Sequence, residues 1–339
     1  MRRKVIMLLC CSTYFLACLG VAGCQSRKIA KETGMAVESK TAVKTASLLV
    51  SEEISLEGFE PEQFSYNPVD NLPVMISKKG DTYSVYERKG TYEWFKKVSY
   101  SCGKNEILDT FVYSTDGKMY CVRKRYEKDK RYQKKVLVRQ NLMRGNKDGT
   151  LKEITLKNLG IKEIKDIRFE GTALAITFSD RSVKFYNIEE RYALGADKIR
   201  GEAGKDVFYD FCYFTASSSS SGEPMIVDYD IRSGEKIKSF LLTDKSKSIR
   251  SVYLANYHEN LYIMTEYGLY VGNYTDNIFY CRVKREDLEI EDLESLFFVR
   301  AARDNTLYYA WKDEKFRVHL AQINIPEKTK DSVFIEAKL

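Results

Sequence analysis

Few residues in this chain could do chemistry, and Cys24 is the first of them. It closes Val21-Ala22-Gly23-Cys24, which follows three basic residues, Arg2, Arg3 and Lys4, and an apolar run over 5–20. A basic start, an apolar stretch of that length and small residues before a cut site make an export signal. The run is short for a membrane span, which takes about 20 apolar residues. The sets that catalysis requires are missing elsewhere. No Gly-x-Ser-x-Gly elbow, His-Glu-x-x-His or phosphate-cradling glycine loop occurs, and no Cys-x-x-Cys follows Cys24. Of the two histidines, His258 falls in a turn before Leu261 and His319 alternates outward from Val318 and Leu320, so both read as surface residues. No catalytic residue and no metal ligand is therefore expected. Carboxylates leave one alternative open, a two-carboxylate hydrolase directed at polysaccharide. Asp228 and Asp230 share a strand face by period two, and Glu286, Asp287, Glu289, Glu291, Asp292 and Glu294 form an acidic connector. The plainer reading puts the pair in a hairpin turn and the connector in a solvated loop.

Val21-Ala22-Gly23-Cys24 resembles the lipobox of bacterial lipoproteins, a pattern of aliphatic, small, small and Cys. The resemblance implies that Cys24 receives a diacylglycerol thioether, that the bond after Gly23 is cleaved, and that Cys24 becomes the new N-terminus. Each buried methylene contributes roughly 0.8 kcal/mol, so two acyl chains hold firmly where one holds marginally. The expected location is the cell membrane, lipid-anchored, on its extracytoplasmic face. Cys10, Cys11 and Cys18 leave with the signal.

The elements that must carry any site follow from composition. With 44% hydrophobic and 30% charged residues, five prolines and 24 tyrosines, the chain has a real core and favours strands. The formal charge is +7, and losing Arg2, Arg3 and Lys4 with the signal lowers it to +4. That balance compels no polyanionic partner, and export removes nucleic acid as one. Cys121, Cys212 and Cys281 sit in apolar runs and Cys102 in a turn, so no structural disulfide is expected.

Residues 1–23 read as the signal, 24–50 as a lipidated spacer rich in Lys, Glu, Ser, Thr and Ala, and 51–339 as a single domain; a short helix over 33–49 competes with the spacer reading. From Ile54 onward, short β-branched and aromatic runs are cut by Gly, Asn and Asp, which predicts an all-β chain of antiparallel hairpins. A polar turn followed by an apolar strand recurs at 116–120, 170–174, 258–262 and 303–308, with weaker copies near Met75 and Met225. The steps, roughly 36 to 55 residues, approach one four-stranded propeller blade. A β-propeller of six to seven blades is expected, with residues 54–59 left over to close the ring or to start a degenerate seventh. The best single blade is 207–242, with 207–215 as its inner strand. Its turn Asp230-Ile231-Arg232-Ser233-Gly234-Glu235 resembles the hairpin of quinoprotein-like and related propellers, in which Asp caps the turn and Gly takes a positive φ. The Gly-His and Trp-Asp signatures of the WD class are absent. With only Trp94 and Trp311, so is the tryptophan ring of quinoprotein enzymes, and no cofactor is implied. Lipid-anchored propellers of this kind also resemble the front of longer lipoproteins with a solute-binding domain behind; on that kinship the transport half would be missing after Leu339.

Residues 123–135 interleave basic residues with tyrosine and read as a long exposed hairpin loop, to which anionic lipid headgroups or wall polymers would be available. Exposed tyrosines would make stacking platforms for sugars or peptides, although most are expected in blade packing. The expected function is a non-catalytic binding or scaffold module, monomeric, with membrane lipid as one partner and an envelope protein, peptide or glycan as another. Solute capture for a transporter is the alternative beside the hydrolase, and an aromatic-lined cleft would favour it. The ligand itself is not named by the sequence.

Overall fold

Runs such as Leu261-Tyr262-Ile263-Met264 send alternate side chains to opposite faces of a strand, and both faces are apolar. Such a strand must be covered on both sides. The computed structural model describes residues 49–54, 60–89, 93–132, 134–189, 192–194, 198–244, 248–275, 277–303, 305–327 and 333–338. The signal, Cys24 and nearly all of the expected spacer and its competing helix lie outside the described residues. Among the described residues are 25 β-strands and two short 3-10 turns, with no α-helix.

The strands form six antiparallel four-stranded blades. Blade 1 comprises β2 (Glu60–Asn67), β3 (Leu72–Lys79), β4 (Thr82–Lys89) and β5 (Glu93–Ser101). Blade 2 comprises β6 (Glu106–Tyr113), β7 (Met119–Lys128), β8 (Lys135–Gly145) and β9 (Leu151–Ile154). Blade 3 comprises β10 (Ile164–Glu170), β11 (Ala173–Phe178), β12 (Val183–Asn187) and β13 (Tyr192–Leu194). Blade 4 comprises β14 (Asp206–Tyr209), β15 (Cys212–Ser218), β16 (Pro224–Asp230) and β17 (Lys236–Thr243). Blade 5 comprises β18 (Val252–Tyr257), β19 (Asn260–Thr265), β20 (Gly268–Asn273) and β21 (Ile278–Lys284). Blade 6 comprises β22 (Leu296–Ala302), β23 (Thr306–Lys312) and β24 (Val318–Asn324), and takes its outer strand from β1 (Leu49–Ile54). The first strands of the blades touch in the cyclic order β2, β6, β10, β14, β18, β22 and back to β2, which is the ring of a β-propeller.

The core lies between blades. Leu261 and Ile263 of β19 enter the apolar layer shared with blade 4, while Tyr262 and Met264 enter the layer shared with blade 6. The ring is closed by a strand that starts earlier than expected: β1, which shares only Ile54 with the leftover 54–59 and begins within the expected spacer, runs antiparallel to β24 from Leu49 opposite Ile323 to Ile54 opposite Val318, while 55–59 lie outside the described residues. A second tie was not legible in the sequence. Blades diverge toward the rim, and β25 (Phe334–Lys338) fills the wedge between blades 4 and 5, pairing with β17 on one side and β21 on the other. Two edges that would otherwise present unpaired backbone groups are thereby covered. Ile335 is fully buried in the layer that also holds the stacked rings of Phe240 and Phe279.

The recurring turns at 116–120, 170–174, 258–262 and 303–308 all join the first strand of a blade to its second. The Asp230 turn forms as expected: its Oδ1 accepts from the N–H groups of Arg232 and Ser233 at 2.8 and 2.9 Å, and Gly234 has φ 70°. Two readings need correction. Residues 207–215 are a hairpin of β14 and β15, because Asp210 takes a left-handed conformation, φ 54°, inside an unbroken aromatic run. The basic stretch 123–135 is mostly strand, and Lys124 within it is buried against Asp109 at 2.7 Å and Glu163 at 3.3 Å.

Ile335 tests the wedge strand. Ile335→Ala leaves a cavity where two blades meet, and urea unfolding should show a loss of about 2 to 5 kcal/mol.

Candidate functional site

The inner strand of each blade is an edge, so its outward backbone groups face the axis and need partners. Long polar side chains supply some of them by reaching from one inner strand to the next. Gln63 of β2 donates through Nε2 to the Phe111 carbonyl of β6 at 3.2 Å and accepts from the Phe111 N–H at 3.0 Å. Asn256 of β18 donates to the Phe208 carbonyl of β14 at 3.2 Å. Arg168 of β10 pairs with Asp166 at 3.0 Å and donates to the Asp206 carbonyl of β14. Arg300 of β22 reaches toward β2, where its guanidinium lies 5.5 Å from the centre of the Tyr66 ring.

Gln63, Arg168 and Arg300, though not Asn256, line an axial channel of roughly 140 Å³ walled by Phe64, Phe111, Phe169 and Phe298. The strands that form it are irregular at one end. Register shifts occur at Pro61/Gln63 in β2, Asp109/Val112 in β6, Ile164/Asp166 in β10 and Leu296/Phe298 in β22. Bulges turn side chains away from the pleat and are frequent beside functional sites. Here they open a mouth of roughly 420 Å³ on the face that carries the connections between blades, lined among others by Glu62, Asp109, Lys205 and Phe297.

A groove of roughly 1000 Å³ adjoins the mouth and shares Glu62, Leu296 and Phe297 with it. One wall is the acidic connector between blades 5 and 6, from which Glu289, Glu291, Asp292 and Glu294 line the groove while Glu286 and Asp287 do not. The connector is solvated on its acidic side only, since Leu288, Ile290 and Leu293 are buried in the layer between those blades. The other wall is the turn from β23 to β24. Asp313 organises it, accepting from the N–H groups of Lys315 and Arg317 at 2.9 and 2.8 Å and from Arg317 Nε at 2.7 Å. Desolvation works against the Asp313 charge, but those hydrogen bonds and one to His319 outweigh it and hold the carboxyl well below its usual range. Phe316, with φ 61° and 83% exposed, projects from the tip.

His319 is half-buried where a fully exposed side chain was expected. It is stacked on Trp311, with ring centres 5.1 Å apart, and lies 3.2 Å from Asp313 inside the groove. His258 is exposed in its turn. The pair Asp228 and Asp230 does not converge on a cavity: Asp228 is buried within β16, Asp230 caps its turn, and neither lines channel, mouth or groove. Burial lifts the Asp228 carboxyl to about 6 against the charge of Lys238, and its Oδ1 has no hydrogen-bond partner. Asp206 is also lifted to about 6 by burial, opposed by Arg168 and by hydrogen bonds from Tyr213 and Thr215. Cys102, Cys121, Cys212 and Cys281 are free thiols. Among the described residues no three His, Cys, Asp or Glu side chains gather as a metal site would require. Cys24 lies outside the described residues.

Gln63, Arg168 and Arg300 went unnoticed in the sequence. The signal for two of them was there, a lone arginine inside the apolar strands Ile167-Arg168-Phe169 and Val299-Arg300-Ala301.

No family model matches the chain, and no curated protein matches it. Among solved structures it is similar to BamB from Moraxella catarrhalis, at 9% identity and a TM-score of 0.40 over 77% of this chain and 84% of that one. A likeness of that degree says nothing about what this chain binds.

Asp228 yields a pH test. Its folded value of about 6 lies above the ordinary 3.8, so between those values the folded chain holds a proton that the unfolded chain has lost. The Asp228 contribution therefore lowers stability as pH rises from about 4 to about 6 and is constant above. Asp228→Asn should be more stable than the parent by about 1 to 2 kcal/mol at pH 8, with the gap closing at pH 4, as read from urea midpoints.

Proposed function

We propose that the chain is a membrane-anchored extracytoplasmic lipoprotein whose propeller serves as a non-catalytic binding or scaffold module. The observation that carries the binding role is the recess on the connector face. Mouth and groove form one continuous depression, edged by the exposed rings of Phe297 and Phe316 and lined with carboxylates. Large exposed aromatics beside a polar depression are what a protein, peptide or glycan surface would engage. The carboxyls lifted by burial, Glu170, Asp206 and Asp228, line none of this depression, whereas Asp313 within it is held low. A hydrolase acid needs the reverse arrangement. On this reading the partners are membrane lipid through Cys24 and an envelope protein, peptide or glycan at the recess. The module acts as a monomer without cofactor or nucleic acid.

The aromatic walls of the channel favour a second reading, capture of a small solute.

The anchor is supported by Val21-Ala22-Gly23-Cys24 behind its basic and apolar leader. Cells fed labelled palmitate should incorporate it into the parent chain and carry that chain in the membrane fraction. Cys24→Ala should lose the label and the membrane association after washing in high salt. Label retained by the variant, or absent from the parent, would sink the anchored reading.

A further inference from the structure

Three of the residues lining the channel carry charge: Asp166, Arg168 and Arg300. Asp166 and Arg168 pair with each other, which leaves Arg300 as the one of the three without an ion pair. Among the described residues the Arg300 side chain has no hydrogen bond or ion pair, and its Nε is buried without a partner. The groups nearest to it in charge do not resolve this. Arg168 is a like charge, Tyr66 offers a ring face, and Glu170, although its field reaches Arg300, forms no ion pair with it. A half-buried guanidinium whose donors face a cavity and find no acceptor is a seat for an anion.

We propose that the axial channel binds one carboxylate, held by Arg300, with the apolar body of the ligand lying against the phenylalanine walls. The surrounding acids favour a monoanion, since a phosphate dianion would be repelled more strongly by Asp166, Asp206 and Glu170 around the two arginines. The planar fork of arginine matches a carboxylate with two parallel hydrogen bonds. Phe64, Phe111, Phe169 and Phe298 face the same roughly 140 Å³ and suit a ligand with an aromatic or aliphatic body. The carboxylate could belong to a free small acid or to the end of a peptide chain entering by the wide mouth. The proposal deepens the solute-capture and peptide-binding readings by naming the group recognised, and it is independent of the lipid anchor.

The test follows the melting temperature of the full chain at pH 8 and constant ionic strength. The probes are sodium benzoate, the peptide Gly-Gly-Phe, its C-terminal amide, sodium phosphate and sodium chloride. A free acid at about a hundred times its dissociation constant should raise the melting temperature by about 5 °C. Benzoate, the free peptide, or both should do so, and the more effective of the two identifies the source of the carboxylate. The amide, phosphate and chloride should have no comparable effect. Arg300→Met should remove the response while leaving the unliganded chain about as stable, because the guanidinium it removes makes no hydrogen bond or ion pair among the described residues. Arg300→Lys, which keeps the charge and loses the fork, should weaken binding about tenfold and serves if the Met variant does not fold. Flat titrations with both acids, equal shifts with the amide, phosphate or chloride, or an undiminished shift in the Arg300 variants would overturn the proposal. None of those results would alter palmitate labelling at Cys24.

Discussion

Six residue pairs between Leu49–Ile54 and Val318–Asn324 join parts of the chain that are roughly 270 residues apart, and the ring exists because they do. A propeller has no stable open form in which every blade is covered on both faces. Without β1, blade 6 loses its outer strand, and Ile54 leaves the layer where Val318 and Leu320 of blade 6 meet Phe64 and Met75 of blade 1. Each of the other interfaces is a similar apolar layer between neighbouring sheets, so the loss of one seam lets the rest splay. Closing so long a loop costs entropy that grows only with the logarithm of its length, which is why a short strand can hold it.

Near the axis the balance of forces changes. Between blades the chain is sealed by apolar surface. Along the channel the six inner strands present backbone edges that no sheet completes, and side chains must satisfy them. Gln63 does so with two hydrogen bonds to one residue, and Arg168 does so while held by Asp166. Arg300 makes the same reach and finds only a ring face. The channel is thus one place where this fold gathers polar groups, beside single buried ones such as Lys124 and Asp228 elsewhere, and the bulged ends of β2, β6, β10 and β22 open it to one face.

Much of the architecture was legible because every blade is covered on both sides, which turns its middle strands into unbroken apolar runs. β3, β11, β19 and β23 are such strands. The inner strand β2 was missed altogether: Glu60-Pro61-Glu62-Gln63-Phe64-Ser65-Tyr66-Asn67 carries the polar residues that an axial edge requires and lacks apolar periodicity. β14 and β15 merged into one run for the opposite reason, since nothing but the backbone of Asp210 marks the turn between them. The wedge strand β25 was recognisable as a strand, but its place between blades 4 and 5 depends on how sheets diverge in space, which no local pattern encodes. For the site the loss was greater. The acidic connector was visible as a cluster, while Leu288, Ile290 and Leu293, which fix its orientation, were hidden among the charges. The partial cover of His319 could not be read because Trp311, which supplies it, comes from the neighbouring strand.

The wedge strand also sets an order of events during synthesis. β17 and β21 emerge from the ribosome long before Phe334–Lys338, and until then both rims stay open to any passing extended segment. A nascent or prematurely terminated product would therefore be sticky at two edges that the finished molecule conceals. Blades 4 and 5 can form early, but their mutual clasp waits for Phe334–Lys338, and quality control that senses exposed strand edges would distinguish chains that contain that strand from those broken before it.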